Sequence, residues 1–147
     1  MPATRLLLFF KDFTQYYDRR FLPLTAEYGL SMREMHVLLF LANHPCYDTA
    51  RDICEYRGIS KSQVSQAVDF LSEIGFLTRE TDSEDRRVIH LHLTHAGRTV
   101  AEKGQVIQCE CMSELLSGMD DEQLLQIKAL WEIILSNGER LAKEAGE

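Results

Sequence analysis

The sequence predicts a mainly α-helical protein with a small β-hairpin, in which a winged helix-turn-helix is flanked by long helices at both ends. Apolar residues recur at helical spacing through most of the chain, whereas residues 76–94 show strand-like patterning. A short helix with a polar face directly precedes that segment, which is the order of a helix-turn-helix and its wing. We therefore expect three segments: a long helix in 1–30, the winged helix-turn-helix in 31–95, and two further long helices in 96–147.

Apolar stripes and capping residues place the helices. The first helix carries a wide apolar stripe and ends near Pro23 or continues to Gly29. The second helix stops at Pro45, and a short third helix ends at Gly58. A polar side chain at a helix start, paired with another three residues later, satisfies backbone N–H groups that the helix leaves open. The predicted pairs are Ser31 with Glu34, Thr49 with Asp52, Ser60 with Gln63 and Asp120 with Gln123, while Thr94 caps the long helix after the hairpin.

The helix that opens at Ser60 has two different faces. Its buried stripe consists of Val64, Ala67, Val68 and Leu71, and Gly75 stops it in a left-handed conformation. Its exposed face carries Lys61, Ser62, Ser65, Gln66 and Asp69. Short hydroxyl and amide side chains on a helix that lies flat in a groove reach base edges and phosphates. The face is typical of a DNA-reading helix, although an ordinary surface helix whose Gln63 only caps shows the same pattern.

The hairpin favours the DNA-reading interpretation. Residues 76–81 and 88–94 form its strands, and in the second Ile89, Leu91 and Leu93 alternate with His90, His92 and Thr94. The turn between them reads Asp82-Ser83-Glu84-Asp85-Arg86-Arg87. A carboxylate in such a turn can hold one guanidinium by a bidentate pair and leave the other for a phosphate or a narrow minor groove. A solvated charged turn is the plainer alternative.

These motifs resemble a known family. Asp82-x-x-Asp85-Arg86-Arg87 followed by Leu91-x-Leu93-Thr94-x-x-Gly97 is similar to the wing of the multiple-antibiotic-resistance regulator (MarR) family of bacterial winged-helix repressors. Leu30-Ser31-x-x-Glu34 and the flanking helices follow the family's order, so the resemblance covers nearly the whole chain. Ser83 departs from it, since many members carry proline there, which makes the turn less rigid. The resemblance implies a DNA-binding set of Ser60, Lys61, Ser62, Gln63, Ser65, Gln66, Asp85, Arg86 and Arg87, in which Asp85 orients an arginine that enters the minor groove.

The terminal helices predict a homodimer. They carry more apolar surface than a small winged helix can cover, and although an intramolecular core would also use it, a second subunit accounts for it better. A two-fold dimer sets two recognition helices about one DNA turn apart, which matches a pseudo-palindromic operator. The resemblance implies the same arrangement, with 1–30 and 96–147 as dimerisation helices. It also implies a site for a small-molecule effector, for which Phe13, Tyr16, Tyr17, His36 and Cys46 are candidates, although each is equally explained by core packing.

The charge distribution fits double-stranded DNA as partner. The net charge is −7, yet Arg57 to Arg98 contains six basic and six acidic residues, so the excess negative charge lies elsewhere. A neutral reading head on an acidic body implies moderate, salt-sensitive affinity and weak non-specific binding.

The sequence argues against membrane attachment and secretion. The apolar run at residues 6–10 is too short for a signal peptide, and no stretch has the length of a membrane span. A cytoplasmic protein is expected, in which the cysteines are reduced thiols; they are Cys46, Cys54, Cys109 and Cys111. Cys109 and Cys111 point about 200° apart on a helix and cannot pair with each other.

Other functions find weaker support in the sequence. The peroxide sensors of the family carry a cysteine in the first helix, and its zinc sensors a histidine pair after the wing, whereas this chain has no cysteine before Cys46 and no histidine after His95. His90 and His92 share a strand face but have no third ligand, so we expect solvated histidines and no metal or other cofactor. Catalysis could use only Cys46 with His44 or His36, and no nucleophile motif accompanies them. A winged helix that binds protein, or a thiol- or metal-responsive sensor of the same fold, remains the alternative.

Overall fold

The computed structural model describes residues 2–145, which form six helices and one two-stranded antiparallel sheet. The chain divides into two compact units between Cys111 and Met112. The elements are α1 (Ala3–Tyr28), α2 (Met32–Asn43), α3 (Ala50–Arg57), α4 (Lys61–Glu73), β1 (Leu77–Thr81), β2 (Ile89–Leu93), α5 (His95–Leu115) and α6 (Asp121–Ala145). The predicted fold class, a winged helix-turn-helix flanked by long helices, is confirmed.

The helices begin where the capping residues predict. In the three pairs Thr49/Asp52, Ser60/Gln63 and Asp120/Gln123, each side chain accepts a hydrogen bond from its partner's backbone N–H. The Ser31 N–H likewise donates to the Glu34 carboxylate at 2.6 Å. These bonds satisfy N–H groups that have no partner inside the helix. The predicted caps are therefore formed.

Helix α1 continues past Pro23 and ends at Gly29, whose φ of 65° is the left-handed stop. Proline has no N–H to donate inside a helix, which normally ends or bends it. Here Phe21 and Leu24, on either side of the proline, are buried in the core. Their burial offsets the lost backbone bond, so the longer of the two predicted helices is the one that forms.

The core of the first unit lies between α2 and the helices around it. Met35, Val37 and Leu38 of α2 are fully buried, and the predicted stripe of α4 packs in the same cluster. Helix α5 comes so close to α2 that a Cβ on Gly104 would lie 2.9 Å from Leu39 Cδ2. The exposed face of α4 is thus held by a rigid, buried support.

The two strands are shorter than predicted. Strand β1 begins one residue later than expected, and β2 lacks one residue at each end. Leu77 pairs with Leu93 and Thr81 with Ile89. Leu77 and Leu91 are buried, but Ile89 is 45% exposed because it lies at the outer end of the ribbon, beyond the core. The expectation that Ile89 belongs to a half-buried face is therefore wrong.

The base of the hairpin is joined to α4 and α5. Gly75 ends α4 with a φ of 81°, as predicted, and its carbonyl oxygen accepts a hydrogen bond from Thr94 Oγ1 at 2.7 Å. Thr94 Oγ1 also accepts the Gly97 N–H and so caps α5. A Cβ on Gly97 would lie 2.1 Å from the carbonyl oxygen of Phe76, so only glycine fits at this crossing. The ribbon therefore leaves the body of the protein in a fixed direction.

The second unit, and the first half of α1, expose many apolar side chains. Helix α6 buries none of its residues, although Trp131 and Ile134 lie on it. Leu7 and Phe10 of α1 are exposed as well. Of the helices within residues 2–145, none is both long enough and apolar enough to cross a membrane.

Candidate nucleic-acid interface

The outer face of α4 is polar and exposed. Lys61, Ser62, Ser65 and Gln66 all lie on it, and the side chains on the opposite face are buried. Ser60 and Gln63 are used differently, because the Ser60 hydroxyl donates to Gln63 Oε1 at 3.1 Å in addition to the backbone bonds of the cap. Their part in the structure is to start the helix, and any contact they make with DNA stays a prediction.

Two arginines from other elements reach this face. Arg33 Nη1, near the start of α2, donates a hydrogen bond to Gln66 Oε1 at 3.4 Å. Arg79 of β1 forms an ion pair with Asp69 on α4. The pair neutralises the carboxylate of Asp69, which would otherwise repel phosphate. The sequence did not indicate either contact. Helical spacing shows which residues of α4 share a face, but it does not show which residues of other elements contact that face.

The turn at residues 82–87 is held by carboxylates that bind the main chain. Asp82 Oδ1 accepts the N–H groups of Glu84 and Asp85, both at 2.8 Å, and Asp85 Oδ1 accepts the N–H of Arg87 at 3.0 Å. The Asp85 carboxylate thus orients Arg87 by binding the backbone N–H of Arg87, and among the residues that the structure describes it does not form an ion pair with a guanidinium group. Arg86 and Arg87 are exposed, and within residues 2–145 neither takes part in an ion pair. The turn therefore presents two exposed guanidinium groups to solvent.

His90 connects this turn to the body of the protein. Its Nδ1 lies 2.7 Å from Asp48 Oδ1, in the loop before α3, and its Nε2 lies 3.1 Å from Asp82 Oδ2. The hydrogen bond to Asp48, followed by that to Asp82, raises the pKa of His90. The backbone N–H of Asp85, the His90 ring and the N–H of Glu84 lower the pKa of Asp82 to about 2. The prediction of a solvated histidine is therefore wrong for His90.

His92 lies beside His90 but outside this bridge. The two rings are 6.4 Å apart, and His92 Nε2 is 3.1 Å from Glu80 Oε2 on the neighbouring strand. Within the part of the chain that the structure describes, no three His, Cys, Asp or Glu side chains are grouped as they would be to hold a metal ion. His90 thus contacts two carboxylates and His92 a third, different one.

The candidate effector residues are spread over several environments. Phe13 and Tyr16 line an open depression of about 460 Å³ on α1, together with Arg5, Leu8, Phe9 and Asp12. Tyr17 instead packs on Phe21, with ring centroids 4.8 Å apart, and its hydroxyl accepts a hydrogen bond from Gln108 at 2.9 Å. Cys46 is exposed in the loop between α2 and α3 and does not line the depression.

His36 and Tyr17 share an electrostatic neighbour. Burial, and then the charge of Arg57, lowers the pKa of His36 to about 4. Burial raises the pKa of Tyr17, while its bond to Gln108 and the charge of Arg57 act in the opposite direction. Arg57 at the end of α3 therefore acts on polar groups of both α1 and α2, which the sequence pattern did not reveal.

Comparison with known proteins identifies this fold. The model of the MarR family matches residues 28–88. The HTH-type transcriptional regulator YfiV of Bacillus subtilis (strain 168) is 30% identical over 115 residues, which cover 76% of this chain and 71% of YfiV. The crystal structure of a MarR transcriptional regulator from Methanosarcina mazei Go1 has a TM-score of 0.80 at 23% identity, over 95% of this chain and 99% of that one. The crystal structure of the S. aureus MepR–DNA complex has a TM-score of 0.70 at 21% identity, over 93% and 96% of the chains.

The fold and the polar face of α4 thus define a winged helix-turn-helix protein. The chain belongs to the MarR family of transcriptional regulators. Since the members of this family are regulators of transcription and not enzymes, the prediction that the chain is not an enzyme is confirmed.

Proposed function

We propose that the protein represses transcription in the cytoplasm by binding a pseudo-palindromic DNA operator as a homodimer. Helix α4 lies in the major groove, with Lys61, Ser62, Ser65 and Gln66 toward the bases and phosphates. The proposal is supported above all by one observation. The face of α4 that carries these four side chains is exposed, whereas the opposite face of the helix is buried. The neighbouring turn at residues 82–87 adds Arg86 and Arg87, which suit the adjacent minor groove. The MepR structure, which has the same fold, was solved with DNA.

The electrostatics of the surface favour DNA despite the acidic composition. Asp69 is paired with Arg79, and both Asp82 and Asp85 accept backbone N–H groups. The carboxylates of Asp69, Asp82 and Asp85 are therefore engaged locally, whereas Arg86 and Arg87 remain available to phosphates. Affinity to which these two cations contribute should fall with salt, with a slope of about 0.9 for each phosphate contact.

The homodimer is proposed from the exposed apolar surface of the terminal helices. Leu7 and Phe10 of α1 and Leu125, Trp131 and Ile134 of α6 are all more than a third exposed. Apolar surface exposed to this extent on each helix marks an interface more often than bare surface. A second copy of the chain would cover it and place two α4 helices on successive turns of one face of the DNA.

We further propose that a small organic anion releases the operator. The observation in favour is that the charge of Arg57 acts on two half-buried polar side chains, His36 and Tyr17. An anion that binds beside these side chains would be attracted by the charge of Arg57. Phe13, Tyr16 and Cys46 remain candidates for a wider site.

A mobility-shift experiment tests the function. A duplex from the chain's own promoter region is mixed with the protein in the presence of a scrambled duplex of the same composition. The proposal expects a complex that the promoter duplex competes away and the scrambled duplex does not. Equal competition by both would leave only non-specific binding, and no shift with any DNA would favour a protein-binding winged helix.

Sedimentation tests the dimer separately. At micromolar concentration the full chain should sediment with twice the mass of one chain. Deleting residues 124–147 should abolish both the dimer and tight operator binding, because one winged helix makes too few contacts for nanomolar affinity. A monomeric full-length chain that still binds the palindromic site tightly would contradict the proposed assembly.

A further inference from the structure

We propose that His90 is a positioning residue for DNA binding: as an imidazolium between Asp48 and Asp82 it fixes the turn that carries Arg86 and Arg87. Loss of its proton at higher pH loosens that turn and weakens operator binding. The consequence for DNA rests on the proposed function, whereas the bridge itself is a property of the free protein.

Both ring nitrogens of His90 face carboxylate oxygens. Nδ1 is 2.7 Å from Asp48 Oδ1 and Nε2 is 3.1 Å from Asp82 Oδ2. An ionised carboxylate only accepts hydrogen bonds, and a neutral imidazole carries only one N–H. Both contacts are therefore hydrogen bonds only when the ring is protonated. In the neutral ring, one nitrogen lone pair would point at a carboxylate oxygen.

The same carboxylate that binds His90 shapes the turn. While Asp82 Oδ2 faces the ring, Asp82 Oδ1 accepts the N–H groups of Glu84 and Asp85. The Asp82 N–H in turn donates to the carbonyl of Val88. A change in the position of Asp82 is therefore passed directly to the backbone that leads to Arg86.

The other end of the bridge lies in the helix-turn-helix. Asp48 precedes α3, and its carbonyl oxygen also accepts the N–H of Leu91 at 2.7 Å. A two-stranded ribbon is only marginally stable by itself and depends on such ties for a fixed orientation. His90 thus joins the outer part of the wing to the body that carries α4.

The charged groups around His90 favour its protonated form. Asp48 and Asp82 contact the ring directly, and the causes of its raised pKa are these two carboxylates. Among the neighbours, Glu80 lies opposite in the strand register but pairs with His92, Asp52 is committed to the cap of α3, and Arg51 to Glu55. A histidine whose folded pKa is raised contributes its stabilisation below the unfolded pKa of about 6.5 and loses it as the pH rises through the folded pKa.

The first test uses the free protein, with one measurement on the His90 ring and one on the turn. Nitrogen-15 NMR at pH 6 should show both His90 ring nitrogens protonated, with a titration midpoint above that of an exposed histidine. Trypsin cleavage after Arg86 or Arg87, normalised to an unstructured arginine peptide, should accelerate as the pH rises through that midpoint. A His90 ring that titrates at or below its ordinary value would overturn the proposal whether or not the protein binds DNA.

The second test follows operator affinity between pH 6 and pH 9. The wild type should lose about tenfold in affinity, as expected for one lost charge-assisted contact. His90→Gln should bind weakly at every pH with a flat profile, while the matched variant His92→Gln keeps the wild-type profile. The Arg86→Ala/Arg87→Ala variant should also have a flat profile, because the proton acts through these arginines.

Parallel profiles for the wild type and His90→Gln would show a merely structural histidine and overturn the proposal. If His90→Gln does not fold, the wild-type ring titration and trypsin profile still decide the matter. If the protein binds no operator, the proposed function fails, and the bridge is judged from the free protein alone.

Discussion

Gln66 on the outer face of α4 accepts a hydrogen bond from Arg33 of α2, with 3.4 Å between Oε1 and Nη1. Arginine has only donors, so the amide oxygen must face it and the amide NH₂ must point away. Arg33 occupies one of the two acceptor lone pairs of Oε1, and Gln66 presents both amide donors to the major groove. It is therefore suited to a base acceptor such as guanine O6 or N7, or thymine O4.

Replacing Gln66 by alanine should relax specificity at one position of each half-site, by about 1 kcal/mol for the lost contact to a base acceptor. Affinities for a set of single-base operator variants provide the measurement. Arg33→Ala is the companion change and should relax the preference for a base acceptor at the same position, because the Gln66 amide is then free to turn its oxygen toward the base. A uniform loss in Gln66→Ala would mean that this side chain touches only the DNA backbone.

Removing both wing arginines should weaken binding and reduce its salt dependence. Each lost phosphate contact lowers the slope of log affinity against log salt by about 0.9, so Arg86→Ala/Arg87→Ala should lower it by up to about two. The matched control is Arg140→Ala/Lys143→Ala, which removes two charges from α6 instead. An unchanged slope in the folded wing variant, or the same loss in the control, would count against a wing that binds DNA.

The crossing at Gly97 predicts a large cost for a single methyl group. In Gly97→Ala the new Cβ would lie 2.1 Å from the Phe76 carbonyl oxygen, so α5 or the hairpin must shift. We expect a loss of about 2–3 kcal/mol in the free energy of unfolding. Ala96→Gly, at an exposed position of the same turn, should cost only about 1 kcal/mol or less. Denaturant unfolding at fixed protein concentration measures both, and similar losses would contradict the close packing.

His36 should make the protein sensitive to acid. Its folded pKa is lowered from 6.5 to about 4, mainly by burial. The unfolded chain therefore takes up the proton first, and stability is lost as the pH falls from about 6.5 toward 4. The loss attributed to His36 should be on the order of 2–3 kcal/mol. The measurement is the free energy of unfolding of the wild type and of His36→Gln at pH 4 and pH 7, which separates the contribution of His36 from those of other groups. Equal pH dependence in the two proteins would exclude a contribution from His36.

The fold could be predicted from the sequence because its determinants are local. Capping pairs such as Ser60 with Gln63 lie three residues apart, and glycine stops such as Gly75 follow directly on their helices. The buried stripe of α4 follows from helical periodicity in the same way. Even the continuation of α1 past Pro23 was one of two alternatives that the apolar pattern allowed.

The contacts that shape the candidate interface could not be predicted in the same way. Arg33 and Gln66 are 33 residues apart, and Asp48 and His90 are 42 apart. Such pairs depend on how the helices and strands pack against each other. Neither residue spacing nor composition predicts that packing. The exposure of Ile89 could not be predicted for the same reason. Alternation along a strand shows which face a residue lies on, but not how far that residue is from the core.

Selection from random duplex DNA by the full-length protein tests the central claim most directly. The account predicts enrichment of a two-fold-related sequence whose half-site centres lie about 10–10.5 base pairs apart, with two chains bound per duplex. The Arg86→Ala/Arg87→Ala variant should recover the same bases in the major-groove half-sites with weaker enrichment. Failure to enrich any sequence, or enrichment of a single unrepeated site by one chain, would contradict a dimeric regulator that reads DNA through α4.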